Sequence, residues 1–433
     1  MNESIWTKTQ TLPSFPRLET DVKTDVLVIG GGIAGILCAY LLQQAGVDYT
    51  LVEAGRICCG VSRNTTAKIT SQHGLVYHKL LRQFGLEAAQ LYYRANEEAL
   101  AQYRDISRSL DFDFTEEDSF IYSMDDRGKV EKELDALQKI GAKADFAQKL
   151  PLPFSVAGAV QFPHQAQMHP LKFLAGLTPG LNIHEHTRVL EFLPGCIRTN
   201  GGSIRAKKVI VATHFPFLNK HGSYFLKLYQ QRAYVLALEN TPHIQGMYAD
   251  ERDDGLSFRQ HGDTLLLGGC GQRTGKRSGG WQHLSDFALH NYPGCTITHR
   301  WAAQDCMSLD GMPYIGQYAK TTPDLFVATG FNKWGMSSAM VAARLLRDLV
   351  LERDNPFSAL FSPSRTILRP QLAANAFEST LHLLMPTVPR CPHLGCALKW
   401  NRQEHSWDCP CHGSRFSEDG TVLNNPANGD LKR

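Results

Sequence analysis

Asp25–Gly35 reads DVLVIGGGIAG, and apolar residues continue to Leu42. A short run of buried-strand character passes directly into G-x-G-x-x-G, and good helix formers follow, so the segment reads as strand, tight turn and helix. Gly30 supplies the turn, Gly32 lets the backbone approach a pyrophosphate, and Gly35 lets helix and strand pack closely. The helix N-terminus offers partial positive charge to a diphosphate. A second strand, Asp48–Val52, ends at Glu53, where a carboxylate can accept hydrogen bonds from ribose hydroxyls. Strand, Gly-rich turn, helix and acid in this order predict a dinucleotide-binding α/β domain, with Gly30, Gly32, Gly35 and Glu53 against the cofactor. The apolar run is too short and too rich in glycine to span a membrane.

The rest of the chain bounds the answer. With 433 residues it can bury a large core and form two or three domains. A net charge of +3, with 20% charged residues, leaves no basic stripe for nucleic acid. Met1–Ile5 holds an acid and no basic n-region, and no stretch is apolar enough to insert into a membrane, so a cytoplasmic protein is expected. Of the 11 cysteines, Cys38, Cys58, Cys59, Cys196, Cys270, Cys295 and Cys306 are scattered, which is no disulfide framework.

Helical periodicity runs over Leu75–Ser109 and Lys129–Gly141, and another helix starts at Phe173–Leu177. Leu150–Phe162 is Pro-rich and reads as extended. Ile183–Val189 and Ile204–Ala212 read as strands of the first domain. Ala233–Leu238, Leu256–Arg259, Thr264–Gly268 and Thr296–Arg300 alternate with turns, the pattern of an antiparallel sheet. The dinucleotide-binding domain is therefore interrupted in sequence by a second, substrate-covering one.

The tail carries different chemistry. Cys391-Pro-His393 and Cys409-Pro-Cys411-His412 reduce to C-x-H-x15-C-x2-H. Two Cys on one iron and two His on the other hold a Rieske [2Fe–2S] centre. Structural zinc also takes mixed Cys/His sets, usually with C-x2–4-C spacing, which the C-x-H order fits poorly. The tail resembles Rieske proteins of the high-potential type. That resemblance implies Cys391, His393, Cys409 and His412 as ligands, a disulfide between Cys396 and Cys411, and a Ser414 hydroxyl donating to a bridging sulfide. Phe416 stands where the family often has a Tyr donor, which implies a potential in the lower or middle part of the family's range. A full Rieske domain has several strands before its first ligand loop. Here 369–390 (RPQLAANAFESTLHLLMPTVPR) reads as helix or linker, so the domain looks truncated.

Three further segments identify the dinucleotide. Lys207–Thr213 (KKVIVAT) resembles the strand-and-ATG segment of two-dinucleotide-binding flavoproteins. Asp310-Gly-Met-Pro-Tyr-Ile-Gly316 followed by Leu325–Met336 (LFVATGFNKWGM) resembles the C-terminal flavin motif of the D-amino-acid oxidase (DAO) superfamily. Thr65-Thr-Ala-Lys68, Gln72-His73-Gly74, Gln165–Pro170 and Arg300-Trp301…Gln304-Asp305 resemble a bacterial subgroup that joins a DAO-like domain to a Rieske tail. The resemblance implies FAD, with Thr213, Asp310, Gly330, Gly335 and Met336 among its contacts. It also implies a Rossmann-like FAD domain with an antiparallel-sheet substrate domain and a small all-β tail. The expected oxidoreductase unit is 1–352, with FAD-binding parts near 22–80, 150–215 and 300–352 and substrate-covering parts near 81–149 and 216–299. A linker, 353–389, and a cluster-binding unit, 390–433, follow.

Flavin does the hydride chemistry itself, so side chains position the substrate. Arg232, Arg259 and Arg273 lie in or beside the expected sheet and are candidates for a substrate carboxylate. Tyr234 shares a strand with Arg232. His73 and Lys68 lie where the resemblance puts the flavin face, and Lys333 and Trp334 lie between Gly330 and Gly335. The expected activity is oxidation of an amine or amino acid, with single electrons leaving through the cluster to an acceptor. An oxygen-using oxidase with a vestigial tail and a redox-sensing flavoprotein are the alternatives.

Overall fold

Val22–Ile29 buries its apolar half and pairs in parallel with Ser203–Val211 on one side and Tyr49–Val52 on the other. The structure, a computed structural model, describes residues 3–218, 221–276, 280–386 and 389–431. Residues 1–2, 219–220, 277–279 and 432–433 of the expected units and 387–388 of the expected linker lie outside the described residues. The sheet runs Tyr314–Gln317, Leu325–Thr329, Ser203–Val211, Val22–Ile29, Tyr49–Val52, Ile183–His184. All its pairings along this path are parallel except that of the first two strands. Helices Ile33–Gln44 and Gly335–Val350 pack together on one face and bury most of their residues, as parallel strands with helical crossovers require. At Gly35 a Cβ would come within 1.8 Å of the Gly30 carbonyl oxygen, so only glycine permits this turn.

The second sheet, nine-stranded among the described residues, runs from Thr296–Ser308 and Leu228–Glu239 to Gly158–Gln167 and Lys68–Ile69. It is antiparallel except where Met247–Asp250 joins Thr115–Ser123 in parallel. Its strands outrun the expected ones: Leu228–Glu239 and Thr296–Ser308 pair over almost their full length as a long twisted ribbon. The helical stretch expected over Leu75–Ser109 is broken into Tyr77–Phe84 and Leu86–Ser107 at Gly85, whose φ is +87°. The Pro-rich stretch gives way to strand Gly158–Gln167.

The tail forms a four-stranded antiparallel sheet, Lys399–Asn401, Ser406–Asp408, Arg415–Ser417 and Val422–Asn424. Ahead of it, where strands are missing, stands helix Pro370–Leu384. Its His382 carbonyl accepts the Ala397 amide, 2.9 Å, and its Asn375 and His382 are buried. Among the described residues no helix is long and apolar enough to cross a membrane.

Candidate functional site

A cavity of about 540 Å³ runs along the C-terminal edge of the parallel sheet. Gly30, Gly32, Glu53, Thr213, Gly330, Gly335 and Met336 line it; Gly35 lies beneath, packing the helix. The Glu53 carboxylate accepts from the Gly31 and Gly55 amides at 2.7 and 2.8 Å, and Ser62 Oγ accepts from Ile33 N at the helix start. Helix Gly335–Val350 begins in the cavity wall, bringing its positive end there. The length, the Gly-rich floor and the two helix N-termini fit FAD. Asp310 stands apart from this lining: it is fully buried in an ion pair with Arg365 of the exit segment, 2.7 Å, and accepts from Met312 N. It pins the chain leaving the domain and lies at the second cavity.

A second cavity, about 470 Å³, shares Thr65, Thr66, Ala233 and Lys333 with the first and so opens onto it. Lys68 and His73 line it. Burial, then Arg259, pushes Lys68 down to about 7, and its Nζ has Thr66 Oγ1 at 3.3 Å. Burial pushes His73 down to about 3, so its ring is neutral. Nδ1 lies 2.6 Å from Tyr92 Oη, Nε2 lies 2.8 Å from both Thr70 O and Ser337 Oγ, and the ring stacks on Trp334. His73 thus ties the loop before helix Tyr77–Phe84 to the first turn of Gly335–Val350. Lys333 donates to Asp253 O at 3.0 Å and pairs with its carboxylate.

The arginines expected at a substrate carboxylate are placed elsewhere. Arg259 is fully buried under Trp6 and donates to the carbonyls of Thr66, Ala67 and Met168. Arg232 makes a two-pronged ion pair with Glu404 of the tail, and Tyr234 Oη points to the same carboxylate. Arg273 donates to Pro410 O and Cys411 O at 2.9 and 2.8 Å. For Arg232 the reason is strand alternation. Arg232, Gln230 and Gln304 point to one face of the ribbon, which the tail covers, and the residues between them point to the other.

That covered face holds the tail firmly. Gln230 Nε2 donates to His412 O at 2.8 Å, and Gln304 Nε2 donates to Gly413 O at 2.7 Å. A Cβ on Gly413 would come within 2.5 Å of Gln230, so the second cysteine loop needs glycine to sit this close. Asn425 Nδ2 donates to Thr213 O and Phe215 O, and Val422–Asn425 with Ala427 and Asn428 complete the wall of the first cavity. Lys276 pairs with Glu378, and Glu404 also holds Arg415.

Inside the tail the four thiols meet in one small core with Phe416. The sulfurs of Cys396, Cys409 and Cys411 lie within 4.8 Å of one another, Cys391 and Cys409 are in hydrogen-bond reach, and the Ser414 hydroxyl reaches Cys391. The rings of His393 and His412 stand 5.0 Å apart, each edge-on to Phe215. Burial pushes them down to about 4 and about 3, the neutral form that a metal takes. His412 Nδ1 is buried without a hydrogen-bond partner among the described residues. Converging thiols and an imidazole nitrogen with nothing to bond fit an iron–sulfur cluster. The expected disulfide is not formed: Cys396 and Cys411 are free thiols, each within hydrogen-bond reach of Cys409, farther apart than the roughly 2 Å of an S–S bond.

Sequence reading named Asp305 only within the Arg300…Asp305 motif and gave it no place in the site, though it lines the first cavity, and it missed Glu404. Asp305 carries a signal, a lone carboxylate in the otherwise uncharged strand segment Trp301–Ser308. Glu404 carries none, because the turn Asn401–His405 reads as a solvated loop.

The family described as FAD dependent oxidoreductase (DAO) matches residues 25–349, and the Rieske [2Fe-2S] domain matches residues 382–433. "Putative Rieske 2Fe-2S iron-sulfur protein YhfW" of Bacillus subtilis (strain 168) is 34% identical, over 100% of this chain and 97% of that protein. Gamma-glutamylputrescine oxidoreductase of Escherichia coli (strain K12) is 23% identical over 84% of this chain and 93% of its own length. The crystal structure of glycine oxidase from Geobacillus kaustophilus, 21% identical, superposes with a TM-score of 0.64 over 80% of this chain and 99% of its own, a likeness of fold.

Proposed function

The chain belongs to the FAD dependent oxidoreductase (DAO) family and carries a Rieske domain, and from that premise we propose that it oxidises an amine or amino-acid-like substrate and delivers the electrons singly to an acceptor outside the chain. It is an FAD-dependent oxidoreductase whose cofactors are FAD and a [2Fe-2S] cluster. Bound in these sites, FAD takes up a hydride and the cluster relays one electron at a time. Gly30, Gly32, Glu53 and Thr213 would hold the dinucleotide, and Cys391, His393, Cys409 and His412 the cluster. The substrate would enter through the second cavity, lined by Lys68 and Trp334, which meets the first at Thr66, Asn332 and Lys333. Lys68, close to neutrality, can hold or release a proton there, while His73 positions the first turn of helix Gly335–Val350.

The observation that carries the relay is the shared wall. Asn425 of the tail binds the carbonyls of Thr213 and Phe215, and His393 and His412 lie against Phe215, next in sequence to His214 of the dinucleotide cavity wall. The amine reading draws support from the relative that acts on gamma-glutamylputrescine. The test starts from visible and EPR spectra of the purified protein, expected to show flavin and a Rieske cluster together. Amine-reduced enzyme is then mixed with ferricyanide or with oxygen. His412→Ala or Cys409→Ser should slow reoxidation by ferricyanide and leave that by oxygen unchanged. Equal ferricyanide rates in wild type and variants would end the relay reading.

A further inference from the structure

Asp305 is the acid on the cavity side of the ribbon. It pairs in register with Gln231 on the neighbouring strand, and it is half-buried in the wall of the dinucleotide cavity, on the same ribbon face as Ala233, which lines both cavities. Among the described residues its carboxylate receives no hydrogen bond and no ion pair. Two cations lie near enough to be felt, Lys333 and Arg232, but each is committed: Lys333 to Asp253 and Arg232 to Glu404. Burial outweighs them and pushes the Asp305 carboxyl up to about 6, as expected of a carboxylate short of counter-charge.

Arg232, Arg259 and Arg273, the guanidinium groups nearest in sequence logic to a substrate carboxylate, are bonded within the protein. Lys68 is held near neutrality. A substrate carboxylate would therefore meet an uncompensated acid and no free guanidinium from this set. A protonated amine would meet the missing counter-charge.

We infer that Asp305 is the anchor for the substrate's ammonium group, so that the enzyme selects cationic amines rather than reading a carboxylate. The inference rests on the amine-oxidation reading and narrows it. A carboxylate on the ribbon, beside the apolar Ala233 and Ala303, gives an ammonium one charged contact in a low-dielectric wall, where such a contact is strong.

The experiment uses full-length holoenzyme at pH 8, where the carboxylate is ionised and an alkylamine is protonated. Binding of n-butylammonium and of butyrate is measured by titration calorimetry and by the flavin absorbance change, for wild type, Asp305→Asn and Asp305→Ser. The inference expects butylammonium to bind wild type and to weaken roughly 10- to 100-fold in both variants. Butyrate should bind no better to wild type than to the variants. Both variants should keep their flavin and melt no lower than wild type, because a buried charge is removed. Butyrate preferred by wild type, an unchanged butylammonium constant, no butylammonium binding to wild type, or loss of flavin in both variants would each overturn it. Flavin reduced by amines with the same KM in Asp305→Asn removes the anchor and leaves amine oxidation standing. Asp305-dependent binding of butylammonium, with no amine ever reducing the flavin, does the reverse.

Discussion

The two faces of the ribbon made by Leu228–Glu239 and Thr296–Ser308 do different work with the same backbone. On one face Gln230, Arg232 and Gln304 reach the cluster-binding tail. On the other Ala233, Ala303 and Asp305 line the dinucleotide cavity, and Gln231 bonds Asp253 at its edge. The first face is amide and guanidinium, each group satisfied by a carbonyl or carboxylate of the tail. The second is small side chains and one unsatisfied acid. A buried polar group with partners fixes geometry, and one without them waits for a ligand. A strand that alternates every residue can thus couple two redox sites while keeping their environments distinct.

The largest effect should come from breaking the docking face at its ion pair. Arg232 and Glu404 are 10% and 6% exposed, so Arg232→Ala strands a buried carboxylate. Removing one partner of a buried pair costs about 3–5 kcal/mol, and Arg415, which also holds Glu404, should keep the loss near the lower end. Thermal unfolding should show the loss, and limited proteolysis should cut at the tail first. The double variant Arg232→Met/Glu404→Leu should cost less than the sum of its singles.

Next in size is Gln304→Ala. It leaves Gly413 O and Gln230 Oε1 without a donor, at roughly 1–3 kcal/mol. The EPR spectrum of the cluster should persist, while electron transfer from flavin to cluster slows. An unchanged transfer rate would mean that this face docks the tail without aligning it.

The cavity face should reveal itself through pH instead. Lys68 titrates near 7 and His73 near 3, both pushed down chiefly by burial. The rate of flavin reduction should therefore rise through pH 7 as Lys68 loses its proton, with no inflection near 6.5 from His73. Lys68→Met should abolish that inflection, within about tenfold in rate. Between pH 7 and the usual lysine value the unfolded chain binds the extra proton, so wild-type stability should rise with pH across that window and Lys68→Met should flatten it.

What could be read in advance follows the same division. Gly30, Gly32 and Glu53 were legible because strand, turn and acid are contiguous in sequence and dictate one local geometry. Local ligand spacing put Cys391, His393, Cys409 and His412 forward, and the fold gathers the thiols in one core with the two imidazole rings 5.0 Å apart. Arg232 was misjudged because residue type and strand could be read but not which face pointed where, and Arg259 because its carbonyl partners at Thr66, Ala67 and Met168 are distant in sequence. One residue of register moves a side chain from cavity to dock. The stretch without strands was read as helix or linker; that it holds helix Pro370–Leu384, and that this helix and the ribbon together cover that side of the tail, could not be read. Long-range packing of this kind leaves no trace in local composition, and neither did Glu404.

The smallest effect sharpens the comparison most. Gln231 stands between Gln230 and Arg232 in sequence yet belongs to the opposite face, where its Nε2 donates to Asp253 at 3.2 Å. That carboxylate also holds Lys333, in the loop where both cavities meet. The bond is long and Asp253 is 65% exposed, so Gln231→Ala should change stability by less than about 1 kcal/mol. With Lys333 less restrained, KM should change severalfold while the flavin-to-cluster rate stays as in wild type. Gln230→Ala, one residue away, should do the opposite, lowering the transfer rate and sparing KM. If both variants moved the same parameter, the ribbon would not separate the two sites, and the alternation of its side chains would be packing alone.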